Sequence, residues 1–91
     1  MYYVYILLSL KDRMLYTGYT PDLKTRLYKH NNGYVKSTKS RRPLILIYYE
    51  GYSDKNDAMK SELYLKGGNG KNTLKIQLQN TLKQYNYKHI E

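Results

Sequence analysis

Seven acidic residues occur in this chain of 91, and helical geometry singles out one of them. Counting about 100° per residue from Ala58 at zero places Leu65 at about −20°, Met59 at about 100° and Leu63 at about 140°. Glu62, at about 40°, lies inside that apolar arc, with Lys66 beside it at about 80°. A carboxylate turned toward a core is costly unless a cation shares it. Two partners suit it: Lys66 as an i,i+4 pair on a partly wet face, or a hard divalent ion held by one carboxylate, substrate phosphate and water, as Mg²⁺ commonly is.

A second group lies earlier in the chain. With Leu23 at zero, Arg26 falls at about −60° and His30 at about −20°, both on one flank of the Leu23/Leu27 stripe. An arginine there suits bidentate phosphate contact and the charge that builds on a transferring phosphoryl group. The same pair also reads as a solvated arginine and a histidine favoured by a helix C-terminus. Further back, Tyr3 and Tyr5 share one face of a strand, as do Tyr16 and Gly18 on the next, and Gly18 leaves room for a close approach. A phenol with a pKa of about 10 is only roughly 0.1% ionised at neutral pH, so a tyrosine base needs a cation nearby. Core filling is the other use for these rings. Lys36, Lys39, Arg41 and Arg42 place four cations in seven residues with no acid, which suits a loop that tracks a nucleic-acid backbone and equally a plain solvated loop.

These residues must be carried by definite elements. Tyr2–Leu8 and Leu15–Tyr19 read as an antiparallel hairpin. Thr20-Pro21 opens a helix, with Thr20 as cap, that runs to about His30 before Asn31-Asn32-Gly33 stops it. Gly33–Arg42 is a polar, basic loop. Pro43–Glu50 is apolar on both faces and is expected to be a central strand. A helix follows over Asp54–Lys66, ended by Gly67-Gly68. Gly67–Asn72 is expected to be a flexible joint, since it lacks the first glycine and the Ser/Thr of a phosphate loop. A last helix over Asn72–Gln84 sets Leu74, Leu78, Leu82 and Tyr85 on one face. The order expected is ββαβαα, an α+β (α/β) chain.

Composition bounds the function. The length suits one domain over residues 1–91. Leu, Ile and Val make up 20 residues, Phe and Trp are absent, and the aromatics are thirteen tyrosines, so the expected core is modest and its rings carry hydroxyls that need partners. Sixteen Lys and Arg leave a net charge of +9, a field that attracts phosphate polymers or anionic membranes. The absence of cysteine removes disulfides, thiolate zinc sites and cysteine nucleophiles, and suits a reducing cytoplasm. The two histidines, His30 and His89, have no zinc-site spacing. No signal peptide and no membrane span are read.

Together these residues resemble the GIY-YIG nuclease superfamily, in particular its small single-domain bacterial members. Tyr3-Val4-Tyr5 is similar to the first signature triplet and Tyr16-Thr17-Gly18 to the second. Thr20–Leu23, Arg26-Leu27, His30-Asn31 and Gly33 match the helix that follows, Thr38 and Arg42-Pro43 the lead into the third strand, and Ala58–Glu62 the acidic helix. The chain departs from the pattern at Tyr3, where glycine is usual, at Thr17, where isoleucine is usual, and at Gly67–Gly70, which interrupts the helix after Glu62. The resemblance implies a three-stranded antiparallel sheet flanked by helices and a structure-directed DNA endonuclease in repair or recombination. Tyr5 and Tyr16 would orient or deprotonate the attacking water, Arg26 would stabilise charge on the phosphate, His30 would assist, and Glu62 would hold one Mg²⁺ or Mn²⁺. It implies nucleic acid as partner, DNA ahead of RNA, no membrane, and a protein partner for targeting. A binding module with little or no turnover is the alternative.

Overall fold

The computed structural model describes residues 1–87; His89 lies outside them. Three strands, β1 (Tyr2–Ser9), β2 (Leu15–Thr20) and β3 (Leu44–Tyr52), form one antiparallel sheet in the order β2-β1-β3. β1 is central, and Val4 through Leu8 are at most 1% exposed. The expectation that the Pro43–Glu50 run lies in the centre is therefore corrected: β3 is an edge strand. A run apolar on both faces reports cover above and below, and β3 has that cover while only one of its edges is paired.

Side chains alternate across β1, so each face meets a different layer. Tyr5 and Leu7 pack with Leu44, Leu23 and Leu27 under helix α1 (Leu23–Asn31). Val4 and Ile6 pack with Ala58 and Leu65 of α2 (Lys55–Lys66) and Leu74 of α3 (Gly68–Gln77). Leu8 meets Leu82 of α4 (Gln79–Gln84). A bulge next to Ile6 and Leu7 leaves Ile47 as the extra residue of β3.

Helix starts follow the capping chemistry of aspartate. The Asp22 carboxylate accepts from the Thr25 N–H at 3.2 Å and from its hydroxyl at 2.8 Å. Thr20 instead holds the Asp22 N–H at 3.1 Å, so α1 begins two residues later than a Thr20 cap would set it. Asp54 caps α2 through the Asn56 N–H at 2.7 Å. Before β3, Lys39–Arg41 forms a short 3₁₀ turn, and the basic loop around it is not wholly solvated, since Thr38 is 0% exposed and Val35 7%.

The C-terminal region departs most from expectation. Gly67 alone breaks the chain, and α3 starts at Gly68, so Gly67–Asn72 is no flexible joint. The single helix expected over Asn72–Gln84 is two, divided at Leu78, and the order is ββαβααα. Gly70 is buried because α3 crosses α2 there: a methyl group on it would lie 2.6 Å from the Tyr64 carbonyl carbon and 2.9 Å from Leu65 Cα. The glycine permits packing rather than bending. Gly70→Ala is expected to destabilise the fold by about 2 kcal/mol, because backbone atoms cannot give way. Gly68→Ala meets no atom within 4 Å and is expected to stabilise by about 0.5 kcal/mol. Thermal unfolding of the two variants checks the opposite signs.

Candidate active site

Hairpin register builds the site. Tyr5 pairs with Gly18 and Leu7 with Tyr16, so both phenols lie on the face covered by α1. The ring of Tyr5, 0% exposed, lies directly over Gly18. A methyl group on Gly18 would sit 2.8 Å from Tyr5 Cε1 and closer still to Cζ and Oη. The room that Gly18 provides is thus filled by its own cross-strand neighbour.

From α1, Arg26 and His30 reach the same hydroxyl. Tyr5 Oη lies 2.7 Å from His30 Nε2 and accepts from Arg26 Nε at 3.3 Å. His30 Nδ1 lies 2.7 Å from Thr38 Oγ1, and the Thr38 hydroxyl can donate to the Val35 carbonyl at 3.5 Å. One arrangement of protons serves every group: Tyr5 donates to Nε2, Nδ1–H donates to Thr38, and Thr38 donates to Val35. Tyr16 completes the cluster, its ring 6.4 Å from Tyr5 and 5.3 Å from His30.

Electrostatics then decides which protons can move. Burial, opposed by the Arg26 hydrogen bond, leaves the Tyr5 phenol above its ordinary value, and the negative charge of Glu62 adds to the rise. Burial, and after it the Arg26 charge, hold His30 at about 4. The resting proton therefore stays on Tyr5, with His30 neutral at physiological pH. Arg26 itself is pushed up, chiefly by its bond to Tyr5.

Glu62 enters from α2, in the layer across the sheet. Its carboxylate is 20% exposed and lies 3.2 Å from Lys66 Nζ, which is 53% exposed, so the i,i+4 pair is present. Its charge also acts on Tyr5. The structure thus joins Tyr5, Tyr16, Arg26 and His30 in one contact network and sets Glu62 within electrostatic reach of it. Among the described residues no three His, Cys, Asp or Glu gather to hold a metal ion. A lone carboxylate fits an octahedral ion that takes its other ligands from phosphate and water, not a closed protein cage.

Two residues absent from the expected site contribute to it. Thr38, buried, orients His30; its trace in the sequence is its place in the match to the lead into the third strand. Glu50 accepts from Tyr48 at 2.8 Å, Tyr52 at 3.1 Å and Ser61 at 2.7 Å, tying β3 to α2 one residue before Glu62. Burial, and next Glu50, push Tyr48 up to about 12. The alternation Tyr48, Glu50, Tyr52 carried that signal.

The four loop cations separate. Arg41 is paired with Asp12. Lys36 is exposed. Lys39 and Arg42 line a groove of about 600 Å³ with Lys11, Asn31, Ser40 and Pro43.

Comparison with known proteins places this geometry. Residues 1–75 match the model of the GIY-YIG catalytic domain. The chain belongs to the GIY-YIG family. Its relatives include a UPF0213 protein of Staphylococcus saprophyticus, 43% identical over 82% of this chain and 92% of its own. Another, from Clostridium perfringens, is 40% identical over 96% of this chain and 94% of its own. The solution NMR structure of a UPF0213 protein from Bacillus halodurans superposes with a TM-score of 0.54 at 34% identity, covering 98% of this chain and 97% of that one. The two segments that resemble the signature triplets, Tyr3–Tyr5 and Tyr16–Gly18, lie on β1 and β2 and meet at the Tyr5–Gly18 pair. Tyr3, at the position where glycine is usual, finds space because Gly51 faces it on β3, and its ring packs edge-on against Tyr49 at 6.1 Å.

Two tests follow from the geometry. Gly18→Ala is expected to displace the Tyr5 ring, break its bonds to His30 and Arg26 and cost about 1–3 kcal/mol, measurable by urea unfolding. His30, depressed in the fold from 6.5 to about 4, stays neutral where the unfolded chain takes up a proton. Stability conferred by neutral His30 is complete above pH 6.5 and is lost as pH falls toward 4, by on the order of 3 kcal/mol. Urea midpoints across this window are expected to fall with pH in the native sequence and to lie flatter in His30→Gln.

Proposed function

We propose that this GIY-YIG chain is a divalent-metal-dependent endonuclease that hydrolyses phosphodiester bonds of DNA, directed by substrate structure rather than base sequence. The observation that carries the reading is the buried Tyr5–His30–Thr38 chain with Arg26 on the same hydroxyl and Glu62 within electrostatic reach. Arginine has five N–H donors and Tyr5 takes one of them, so Arg26 retains donors for a phosphate oxygen. Pushed up and hydrogen-bonded to Tyr5, its guanidinium stays charged and pre-oriented for the charge that builds on phosphorus. Tyr5 and Tyr16 orient the attacking water. For Tyr5 the raised pKa favours orientation over a standing phenolate, and neutral His30 is the acceptor to which its hydroxyl proton points. Glu62 would hold one Mg²⁺ or Mn²⁺ ion, which when bound supplies Lewis-acid stabilisation of the phosphate charge.

The net charge of +9 supports nucleic acid as the partner. A small three-stranded domain suits branched or single-stranded substrates in repair or recombination, with a protein partner for targeting. The raised Tyr5 pKa and the Glu62–Lys66 pair favour, as a second reading, a binding module with weak turnover. Labelled flap, fork and single-stranded DNA incubated with Mg²⁺ or Mn²⁺ tests both. Cleavage is expected, abolished by chelator and reduced about 100-fold or more in Arg26→Ala and in Glu62→Ala. Cleavage that survives both substitutions overturns the site, and salt-dependent binding without cleavage of any substrate establishes the second reading.

A further inference from the structure

Five tyrosines stand outside the core clusters, and Tyr28 and Tyr34 are the most exposed of them. The rings of Tyr28 and Tyr34 lie against each other, centroids 6.4 Å apart and 29° between planes, yet they are 60% and 71% exposed. Their backbone is well held: the Tyr34 N–H donates to the Lys29 carbonyl at 2.9 Å, and the Asn32 side chain donates to the Tyr28 carbonyl at 2.8 Å. A paired, wet aromatic surface on fixed backbone adds little to folding and offers a flat apolar face to a ligand.

Charge surrounds this surface in an ordered way. Gly33, with φ of 78°, precedes Tyr34, and the Arg42 guanidinium lies against it, so that a methyl group there would be 2.9 Å from Cζ. Arg42 also lines the groove with Lys11, Lys39 and Asn31. That groove holds three cations and no acid, and the acid beside Lys11, Asp12, is already paired with Arg41. It adjoins the candidate active site, since Asn31 follows His30 and Lys39 follows Thr38 along the chain. A cationic track beside stacking aromatics is the combination that binds unpaired strands: lysines and arginines follow the phosphates, and the rings take bases whose faces a duplex would hide.

We infer that Tyr28 and Tyr34 form a stacking platform for unpaired nucleobases, with the phosphates of the same strand running along Arg42, Lys39 and Lys11 toward the His30 side of the site. The inference rests on the nucleic-acid reading above and narrows it to substrates with a single-stranded segment next to the scissile bond. Duplex DNA can use the cationic track but not the rings.

Binding measured without metal separates this from catalysis. Fluorescence anisotropy of the full chain in chelator, at about 0.1 M salt, compares labelled oligothymidylate of about twenty nucleotides, an abasic chain of the same phosphate number, and a duplex of equal length. The native sequence is expected to bind oligothymidylate about tenfold more tightly than the abasic chain. Tyr34→Ala and Tyr28→Ala are expected to remove most of that difference while changing duplex affinity less than about twofold, and Tyr34→Phe, which keeps the ring, to retain it. Alanine variants that bind oligothymidylate like the native chain, or that weaken all three probes equally, overturn the platform and leave the cleavage reading standing. A chain that cleaves nothing yet loses base preference in Tyr34→Ala establishes the platform by itself.

Discussion

The buried hydroxyl of Tyr5 is the point on which this structure turns. A phenol with no exposure must have its oxygen satisfied, since an orphaned polar group in a core costs about 1–3 kcal/mol. Every local feature around it answers that demand. Gly18 supplies the space for the ring, His30 and Arg26 supply the partners, and Thr38 completes His30 in turn. Because those partners come from β2, α1 and the loop before β3, satisfying one oxygen fixes three connections of the fold at once. The cluster that results from this structural requirement is also the one whose chemistry suits phosphate transfer.

The charge distribution follows a related logic. A chain of +9 could scatter its cations, but here the ones near the cluster have distinct partners. Arg26 is bound to Tyr5, Arg41 is neutralised by Asp12 and Lys66 by Glu62, while Lys11, Lys39 and Arg42 face an acid-free groove. The ion pairs at exposed ends contribute little to stability. Their consequence is selective: they remove some cations from competition for a polyanion and leave a continuous track of the rest.

Much of this was legible in the residues. The hairpin, the helix over Arg26 and His30, and the helix over Glu62 follow from period and capping, and the shared faces of Tyr5, Tyr16 and Gly18 follow from strand alternation. What failed did so for tertiary reasons. Pro43–Glu50 is apolar on both faces because α1 and the C-terminal helices cover it, a pattern that says nothing about which strand takes the centre. Gly67–Gly70 looks like a hinge by composition, yet Gly70 is there because Tyr64 and Leu65 come too close for a side chain. Thr38 stands out only within the lead into the third strand, since a threonine in a basic loop has no period, and the alternation of Glu50 with Tyr48 and Tyr52 is masked by a run that is apolar on both faces.

The two layers explain why the candidate site lies where it does. Arg26 and His30 belong to α1 on one face of the sheet, whereas Glu62 belongs to α2, which packs across the other face against β1 and β2. Groups from opposite layers can act on one phosphate only near an edge of the sheet, and β2 is that edge. Gly18 lies on β2 and gives the Tyr5 ring its place there, with Tyr16 of the same strand packed beside it. The orientation of Glu62 must then be set from within its own layer, by its pair with Lys66 and by the bond that ties the neighbouring Ser61 to Glu50. The Glu50 carboxylate is held on a second side by Tyr48 and Tyr52 of its own strand, so rotation of α2 about its axis would break the Ser61 bond to a fixed acceptor as well as the packing of Ala58 and Leu65. The polar clamp on one strand edge and the phenol over the other thus constrain the same object, the distance between Glu62 and Tyr5.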